Sequence, residues 1–160
     1  MSELLNKETV KRVEKSLREF DNNLKVIALD KTARTAKDAA SSLKCELGAI
    51  VKSLVFKADS EFLVCLVSGD KRCSLNKLKK ILNKKDVAMA NAFEVKEHTG
   101  FSIGGVAPIG YLKKLNIIVD KSLSRFKYVY GAAGHPDCVF KITYTELIKL
   151  TAGVENEITE

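Results

Sequence analysis

Two apolar segments near the middle of the sequence constrain the fold more than any other feature. AIVKSLVF (49–56) and FLVCLV (62–67) are separated by the short polar segment KADSE. Alternate residues of a strand face opposite sides, so Lys52 shares one face with Ile50 and Leu54, and both faces are mostly apolar. A strand of this kind is covered on both sides. The two segments therefore predict a hairpin of two buried strands.

The rest of the sequence alternates between helical and strand patterns without a regular strand–helix repeat. Apolar spacing and capping residues predict helices over 7–20, from Thr35, over 74–83, over 91–98 and from Thr143. Further strands are predicted at 25–29, 86–90, 116–119, 127–130 and 138–142. These elements indicate a mixed α/β (α+β) fold in one domain over residues 1–152. We expect the polar tail, 153–160, to fray.

Positive charge is concentrated in one segment. The protein has a formal net charge of +7, and KRCSLNKLKKILNKK (71–85) alone holds seven basic residues and no acidic one. With Ser74 as the cap, a helix here would place its basic side chains opposite an apolar face made of Leu75, Leu78, Ile81 and Leu82. The segment is either a solvated helix face or a surface that contacts a phosphate backbone. The candidates for that contact are Lys71, Arg72, Lys77, Lys80 and Lys84.

Composition disfavours secreted and membrane-spanning proteins. The N-terminal segment is charged from Glu3 onward, unlike a signal peptide. No uncharged run approaches the ~20 apolar residues of a membrane span. The four cysteines are scattered without a CxxC pair. We therefore expect a cytoplasmic protein with reduced thiols and no membrane association.

Lys52 is unusual because it lies within an apolar strand. A lysine is rarely buried without a partner, since removing an ammonium from water is costly. Two interpretations are open. The lysine lies at a sheet edge and reaches water, or it lines a pocket and faces an anionic group of a ligand.

The uncharged stretch TGFSIGGVAPIG (99–110) contains four of the nine glycines and one of the two prolines. Glycines let the backbone approach a ligand closely, and its N–H groups can then bind an oxyanion or a carbonyl. The stretch also matches the G-x-S-x-G pattern of serine hydrolases, with Ser102 followed by Asp120 and His135. That pattern requires a strand before the serine and a helix after it. Here a predicted helix precedes it, and glycines with Pro108 follow it.

A second loop, GAAGHPDC (131–138), is predicted between two strands and contains the other proline. We interpret His135 either as a turn residue or as a group that hydrogen-bonds or sterically gates a ligand. Together with Cys138 it supplies only two metal ligands. The sequence therefore predicts no metal site.

Three segments together resemble a known family. IVKSLVF, TGFSIGGVAPIG and GAAGHPDCVFKITYTEL look like segments of the YbaK/prolyl-tRNA-synthetase-associated family of free-standing aminoacyl-tRNA deacylases. The resemblance covers roughly residues 25–152. It implies a curved, largely antiparallel sheet or partial barrel flanked by helices. It also implies hydrolysis of the ester between a wrong amino acid and the terminal adenosine of a tRNA, most often tRNA-Pro.

The resemblance assigns roles to individual residues. The family's strand lysine corresponds to Lys52, and its G-x-x-x-P loop corresponds to 104–108, with Gly104 and Gly105 as catalytic backbone donors. The implied substrate-binding residues are Phe101, Ser102, Ile103, Val106, Ala107, Pro108, Gly134 and His135. Neither a metal nor another cofactor is implied, and a ribose hydroxyl of the tRNA would assist the attack of water.

The implied partners are the acceptor end of mischarged tRNA-Pro and, beyond it, prolyl-tRNA synthetase or other translation factors. Alanine or a similarly small residue is the leading candidate for the amino acid removed, with cysteine, 2-aminobutyrate, serine and threonine open. Two alternatives also stay open. One is a non-catalytic RNA-binding module of the same fold, and the other is a serine hydrolase that uses Ser102.

Overall fold

One mixed β-sheet connects most of the fold. The computed structural model describes residues 2–30 and 35–160. The helices are α1 (Ser2–Leu5), α2 (Glu8–Phe20), α3 (Ala36–Leu43), α4 (Leu75–Leu82), α5 (Ala92–Thr99) and α6 (Tyr144–Thr151). The strands are β1 (Val26–Ala28), β2 (Ile50–Ala58), β3 (Glu61–Ser68), β4 (Val87–Met89), β5 (Asn116–Asp120), β6 (Tyr128–His135), β7 (Cys138–Thr143) and β8 (Val154–Asn156). None of the helices in the described ranges has the length and hydrophobicity that a bilayer span requires.

The strand order is β1-β7-β6-β2-β3-β5-β8, and the short β4 pairs with β2. Four of the strand pairings are antiparallel, and three are parallel. The sheet curls into a half-barrel with helices packed against it. The predicted mixed α/β class is therefore confirmed, although antiparallel pairings outnumber parallel ones only slightly.

The central hairpin forms as the sequence predicts. β2 pairs with β3 from Val51 to Ala58. Val51 and Val55 belong to the largest buried cluster, which also contains residues of α2. Phe56 faces the other side of the sheet, in the cluster that includes Leu78 of α4. Burial of each such group contributes about 1.5–3 kcal/mol, so the hairpin holds both layers to the sheet.

Four helices begin at the capping residues that the sequence indicates. In each, a side-chain oxygen accepts a hydrogen bond from the backbone N–H three residues later. These residues are Thr35, Ser74, Asn91 and Thr143. Each cap stabilises its helix by about 1 kcal/mol. The starts of α3 to α6 are therefore explained by local sequence.

The second glycine-containing segment differs from its prediction. Residues 131–135 belong to β6 rather than to a loop, and the turn is reduced to Pro136 and Asp137. A register shift between Ala132 and His135 marks an irregularity in the pairing with β7. The cross-strand bonds to β7 outweigh the weak strand preference of glycine, which depends strongly on context.

α4 buries less of its apolar face than predicted. Leu78 is fully buried, whereas Leu75 and Ile81 remain 41% and 39% exposed. Leu82 is only partly buried against the same cluster as Leu78. This two-turn helix contacts the sheet mainly at one point, so the outer positions of its apolar stripe stay accessible.

The C-terminal tail is ordered, and the prediction that 153–160 frays is wrong. β8 pairs in parallel with β5, and Ile158 is fully buried. The buried carboxylate of Asp120 accepts hydrogen bonds from the N–H of Ile158 (2.8 Å) and from the hydroxyl of Thr159 (3.2 Å). One apolar side chain and one buried acceptor thus hold a segment that is polar in sequence.

We expect Ile158→Ala to lower the free energy of unfolding by about 2–5 kcal/mol, because it leaves a cavity where a fully buried side chain packs. Val154→Ala, at a position 64% exposed in the same tail, should change it by less than about 0.5 kcal/mol. Urea denaturation of both variants measures the difference. Equal midpoints for the two variants would contradict a packed tail.

Candidate active site

The two edges of β2 are paired unequally. β3 covers one edge from residue 51 to residue 58 without interruption. The other edge pairs with β6 only at Ile50 and Val51, and with β4 only from Phe56 onward. Between these pairings, residues 52–54 have no strand partner on this side within the described part of the protein. The sheet is therefore open at the middle of its central strand.

A cavity of about 240 Å³ fills this opening, and we call it the sheet cavity. Its walls come from β2, β6, α3, the end of β4 and the glycine stretch, and they are mostly apolar. Side chains that show this character are Ala36, Ala39, Met89, Val106, Ala132 and Val139. Sites for drug-sized ligands have volumes of roughly 300–1,000 Å³. The sheet cavity therefore suits a smaller group.

Lys52 lines the sheet cavity, as do Ile50 and Leu54 on the same face of β2. Its ammonium donates a hydrogen bond to the backbone C=O of Lys71 at 2.5 Å. Burial lowers the pKa of this ammonium below its ordinary value, and the charge of the nearby Arg72 lowers it further. The structure thus places Lys52 in the cavity wall, half-buried, with its ammonium on a backbone carbonyl.

The turn after β3 positions the carbonyl that Lys52 contacts. Arg125 donates two hydrogen bonds to the carboxylate of Asp70, at 2.7 and 3.0 Å, and a third to the hydroxyl of Ser68 at 2.9 Å. The hydrogen bonds from Arg125 lower the pKa of Asp70 below its ordinary value. The bidentate pair fixes this turn and, through it, the location of the Lys52 ammonium.

The glycine stretch meets the sheet cavity near its exposed tip. Ile103, Gly104 and Val106 line the cavity that Lys52 also lines. Gly104 has a φ of +95°, a conformation that favours glycine. The adjacent Ser102 is exposed and does not line the cavity.

The stem of the glycine stretch has a packing role instead of the predicted contact with substrate. Phe101 is fully buried, with the guanidinium carbon of Arg12 4.5 Å from its ring centre. Ala107 is fully buried in the largest buried cluster, which also contains Val51 and Val55. Pro108 is also buried, and none of Phe101, Ala107 and Pro108 lines the sheet cavity. The stem anchors the tip to the core.

Gly105 also differs from its prediction as a catalytic donor. Its N–H donates a hydrogen bond to the C=O of Ser102 at 3.0 Å. A Cβ at this position would lie 3.0 Å from the Cα of His135, so close packing favours glycine. The amide of Gly105 closes the turn that carries Gly104 and is not free to bind a ligand.

His135 and Gly134 lie beside the sheet cavity without lining it. Gly134 packs on the first turn of α2, where a Cβ would come within 2.6 Å of the C=O of Thr9. The N–H of Asp137 donates to Nδ1 of His135 at 3.0 Å. Pro136 lines the cavity in their place. His135 is the last residue of β6, and the hydrogen bond it accepts from the N–H of Asp137 fits a role beside the turn better than a gating role.

The arrangement does not support a serine nucleophile at Ser102. This residue follows α5 and its Gly100 cap rather than a strand. The carboxylate of Asp120 accepts hydrogen bonds from Ser122 and from the tail. Within the described residues, no hydrogen bond joins Ser102, Asp120 and His135. The hydrolase triad suggested by their order in the sequence is therefore not assembled.

The start of the basic segment lies next to Lys52. The Lys71 carbonyl accepts the hydrogen bond from the Lys52 ammonium, and the charge of Arg72 acts on the same ammonium. Arg72 is exposed. Of the five basic residues predicted to contact tRNA, these two thus lie next to the Lys52 ammonium, Lys71 through its backbone C=O and Arg72 through its charge.

The basic residues of α4 and its C-terminal end are less uniform. Lys77 donates a hydrogen bond to the C=O of Thr159 at 2.6 Å. Lys84 pairs with Glu61 at 3.1 Å. Lys80 is exposed. Two of the predicted contacts therefore already have partners within the protein, and Lys80 is better placed to meet a phosphate.

Ser53 is the site residue that the sequence analysis missed. It lies on the part of β2 whose edge away from β3 has no strand partner among the described residues, and it lines the sheet cavity. Its hydroxyl oxygen is buried and has no hydrogen-bond partner among the described residues. The signal in the sequence is a serine within an aliphatic strand, which does not reveal whether that position faces a cavity or a hydrogen-bonded neighbour.

Comparisons with known families and solved structures agree with this geometry. A family model described as the aminoacyl-tRNA editing domain matches residues 30–150. A crystal structure of a candidate trans-editing enzyme for prolyl-tRNA synthetase superposes with a TM-score of 0.91. Its sequence is 36% identical, and the match covers 96% of this protein and 98% of that one.

Curated sequences are also similar to this protein, over smaller parts of it. The uncharacterized protein YwhH of Bacillus subtilis is 29% identical over 140 residues, which are 87% of this protein and 88% of YwhH. A proline–tRNA ligase of Thermosipho africanus is 37% identical over 99 residues, which are 61% of this protein but 18% of the ligase. The sequence thus spans most of YwhH and less than a fifth of the ligase.

We expect Asp70→Asn to lower the free energy of unfolding at neutral pH by up to about 1 kcal/mol, because the pair with Arg125 is partly exposed. The lowered pKa of Asp70 means that the folded protein favours the ionised carboxylate. Its stabilisation is present above the unfolded-state pKa of about 3.9 and is lost as the pH falls through the lower folded-state pKa.

The difference in unfolding free energy between the parent protein and Asp70→Asn should therefore be constant from about pH 5 to 8 and shrink below about pH 4. Glu157→Gln, at an exposed position of the tail, serves as the control for loss of a carboxylate. Urea titrations across this pH range measure both. A difference that persists unchanged at the lowest pH would contradict the assigned role of the Asp70 carboxylate.

Proposed function

This protein belongs to the aminoacyl-tRNA editing domain family, and on that premise we propose that it is a free-standing, trans-acting aminoacyl-tRNA deacylase. Its substrate would be tRNA-Pro that carries a small non-cognate amino acid such as alanine. The observation that carries this proposal is the sheet cavity, where Lys52 and Gly104 line one small apolar space.

The sheet cavity fits a small aminoacyl group whose ester is attached to a nucleoside outside it. The apolar walls accept a short side chain, and the volume of about 240 Å³ limits its size. Met89 and Ile103 line the cavity and are also 58% and 62% exposed. Exposed apolar side chains at the opening suit the terminal adenosine, because a nucleobase can pack against apolar groups.

Lys52 would contact the terminal nucleotide. An ammonium has three N–H donors, and one of them binds the C=O of Lys71. The other donors remain for a phosphate or a ribose hydroxyl. Arg72 adds positive charge beside Lys52, which favours an anionic partner. In this role Lys52 orients the ester relative to the attacking water.

Hydrolysis then requires positioning and charge stabilisation. Water attacks the ester carbonyl carbon, and a backbone N–H at Gly104 stabilises the negative charge on the carbonyl oxygen. The bond to the ribose oxygen breaks as the tetrahedral intermediate collapses. The proton lost by the water passes to that leaving oxygen, with the neighbouring ribose hydroxyl as the relay. The products are the free amino acid and deacylated tRNA.

The exposed basic residues give the acceptor stem a surface beside the sheet cavity. Lys71 is half-buried and contacts Lys52 through its backbone C=O. Arg72 and Lys80 are exposed, and the charge of Arg72 acts on the Lys52 ammonium. Their charges would contact phosphates without reading the base sequence. Prolyl-tRNA synthetase or another translation factor would deliver the mischarged tRNA, consistent with a trans-acting role.

We expect Lys52→Ala to lower kcat/KM for alanyl-tRNA-Pro by about 100-fold or more, which corresponds to about 2.7 kcal/mol of transition-state stabilisation. Lys57→Ala is the matched control, because Lys57 is an exposed lysine of the same strand and does not line the cavity. Release of labelled alanine measures both. Unchanged turnover in Lys52→Ala would contradict the proposed role of Lys52. If the parent protein binds tRNA without cleaving the ester, the non-catalytic RNA-binding module is favoured instead.

A second prediction concerns tRNA binding. Lys80→Ala and Arg72→Ala should each weaken binding of tRNA and reduce the slope of log K against log salt by about 1, because each removes one phosphate contact. Lys149→Ala on α6 removes an exposed lysine of equal charge outside the basic segment. Filter binding at several salt concentrations gives the slopes. Identical slopes for all three variants would place the tRNA elsewhere.

A further inference from the structure

Ser53 has a hydroxyl that the folded protein does not use. Its oxygen is buried without a hydrogen-bond partner among the described residues, and the residue lines the sheet cavity. A buried hydroxyl that gives up its hydrogen bonds to water is a cost to the fold. Such a group at a cavity wall points to a ligand that supplies the missing partner.

The backbone of Ser53 points into the same opening. The C=O of Ile50 accepts a hydrogen bond from Gly69 beyond β3, and the C=O of Val55 accepts one from Ala90 on the opposite side. Backbone groups of successive strand residues alternate between the two sides. Ser53 lies two residues before Val55, so its N–H and C=O face the side where β2 has no strand partner.

The acceptor oxygens of Ser53 suit the N–H groups of an amine. No Asp or Glu lines the cavity in the described part of the protein. Ser53 offers two neutral acceptor oxygens, the hydroxyl oxygen and the backbone oxygen, at one residue. Lys52, the charged residue in the cavity wall, repels an ammonium. Its side chain projects from the face of β2 opposite to that of Ser53. Thr35 and Tyr130 also line the cavity. Of these three hydroxyls, that of Ser53 is the one buried without a hydrogen-bond partner among the described residues, so an amine in the cavity is directed to Ser53.

We propose that Ser53 is the positioning residue for the α-amino group of the aminoacyl ester, which donates N–H bonds to the hydroxyl oxygen and to the backbone C=O of Ser53. This inference rests on the proposed function and adds the group by which the substrate is recognised. The aminoacyl group then occupies the missing strand position between β6 and β4. Its ester carbonyl extends toward the cavity wall that contains Gly104.

The test compares two esters that differ only in the group at Cα. Alanyl-tRNA-Pro carries an α-amino group, and lactyl-tRNA-Pro carries a hydroxyl in its place. We expect the parent protein to prefer the alanyl ester by at least about tenfold in kcat/KM. Ser53→Ala should lose about tenfold on the alanyl ester and less than about threefold on the lactyl ester, so the preference collapses.

Ser60→Ala in the exposed turn of the same hairpin is the matched control and should keep the preference. The thermal midpoint of Ser53→Ala should stay equal or rise, because the substitution removes an unpartnered buried hydroxyl. Equal losses on both esters, or no preference in the parent protein, would overturn the assignment of Ser53.

Binding of two non-hydrolysable amides separates this inference from the deacylase proposal. Calorimetry with 3′-alanylamino- and 3′-lactylamino-3′-deoxyadenosine measures recognition of the amine without turnover. A preference for the alanyl compound that Ser53→Ala abolishes supports Ser53 even if the parent protein cleaves no ester, in which case the proposed function alone fails. Equal binding of the two compounds, or binding of neither, overturns the inference.

Discussion

The unequal pairing of β2 is the constraint on which the site depends. Its edge toward β3 is continuous, while its other edge is shared by β6 and β4, which approach from opposite ends and leave residues 52–54 between them. Backbone polar groups in the interior need partners. A sheet interrupted at its centre thus provides donors and acceptors that a ligand can use, and α3 and the glycine stretch enclose them.

The environment of Lys52 is assembled from distant parts of the sequence. Its ammonium binds a carbonyl in the turn after β3, and that turn is held by Arg125, which follows β5. The lysine itself comes from β2. The Lys52 ammonium is thereby held at a defined position by a backbone carbonyl, in a turn that the bidentate pair of Arg125 and Asp70 fixes.

Sequence predicted the features that depend on local chemistry. The hairpin follows from apolar alternation, and the helix starts follow from side chains that bond three residues ahead. Lys52 was identified because a lysine in an apolar strand is unusual. Features that depend on pairing between distant segments were missed. The tail is held by Asp120, 38 residues before Ile158, and the exposure of Ser53 to a cavity depends on where β6 and β4 end.

The ordered tail also touches the segment that carries Lys71. The N–H of Glu160 bonds to the C=O of Arg72 at 2.9 Å, and the N–H of Ser74 bonds to the C=O of Ile158 at 2.7 Å. Digestion by a carboxypeptidase that removed Ile158–Glu160 would therefore disturb the backbone on both sides of Cys73. That segment is far from the tail in sequence but lies next to the Lys52 ammonium.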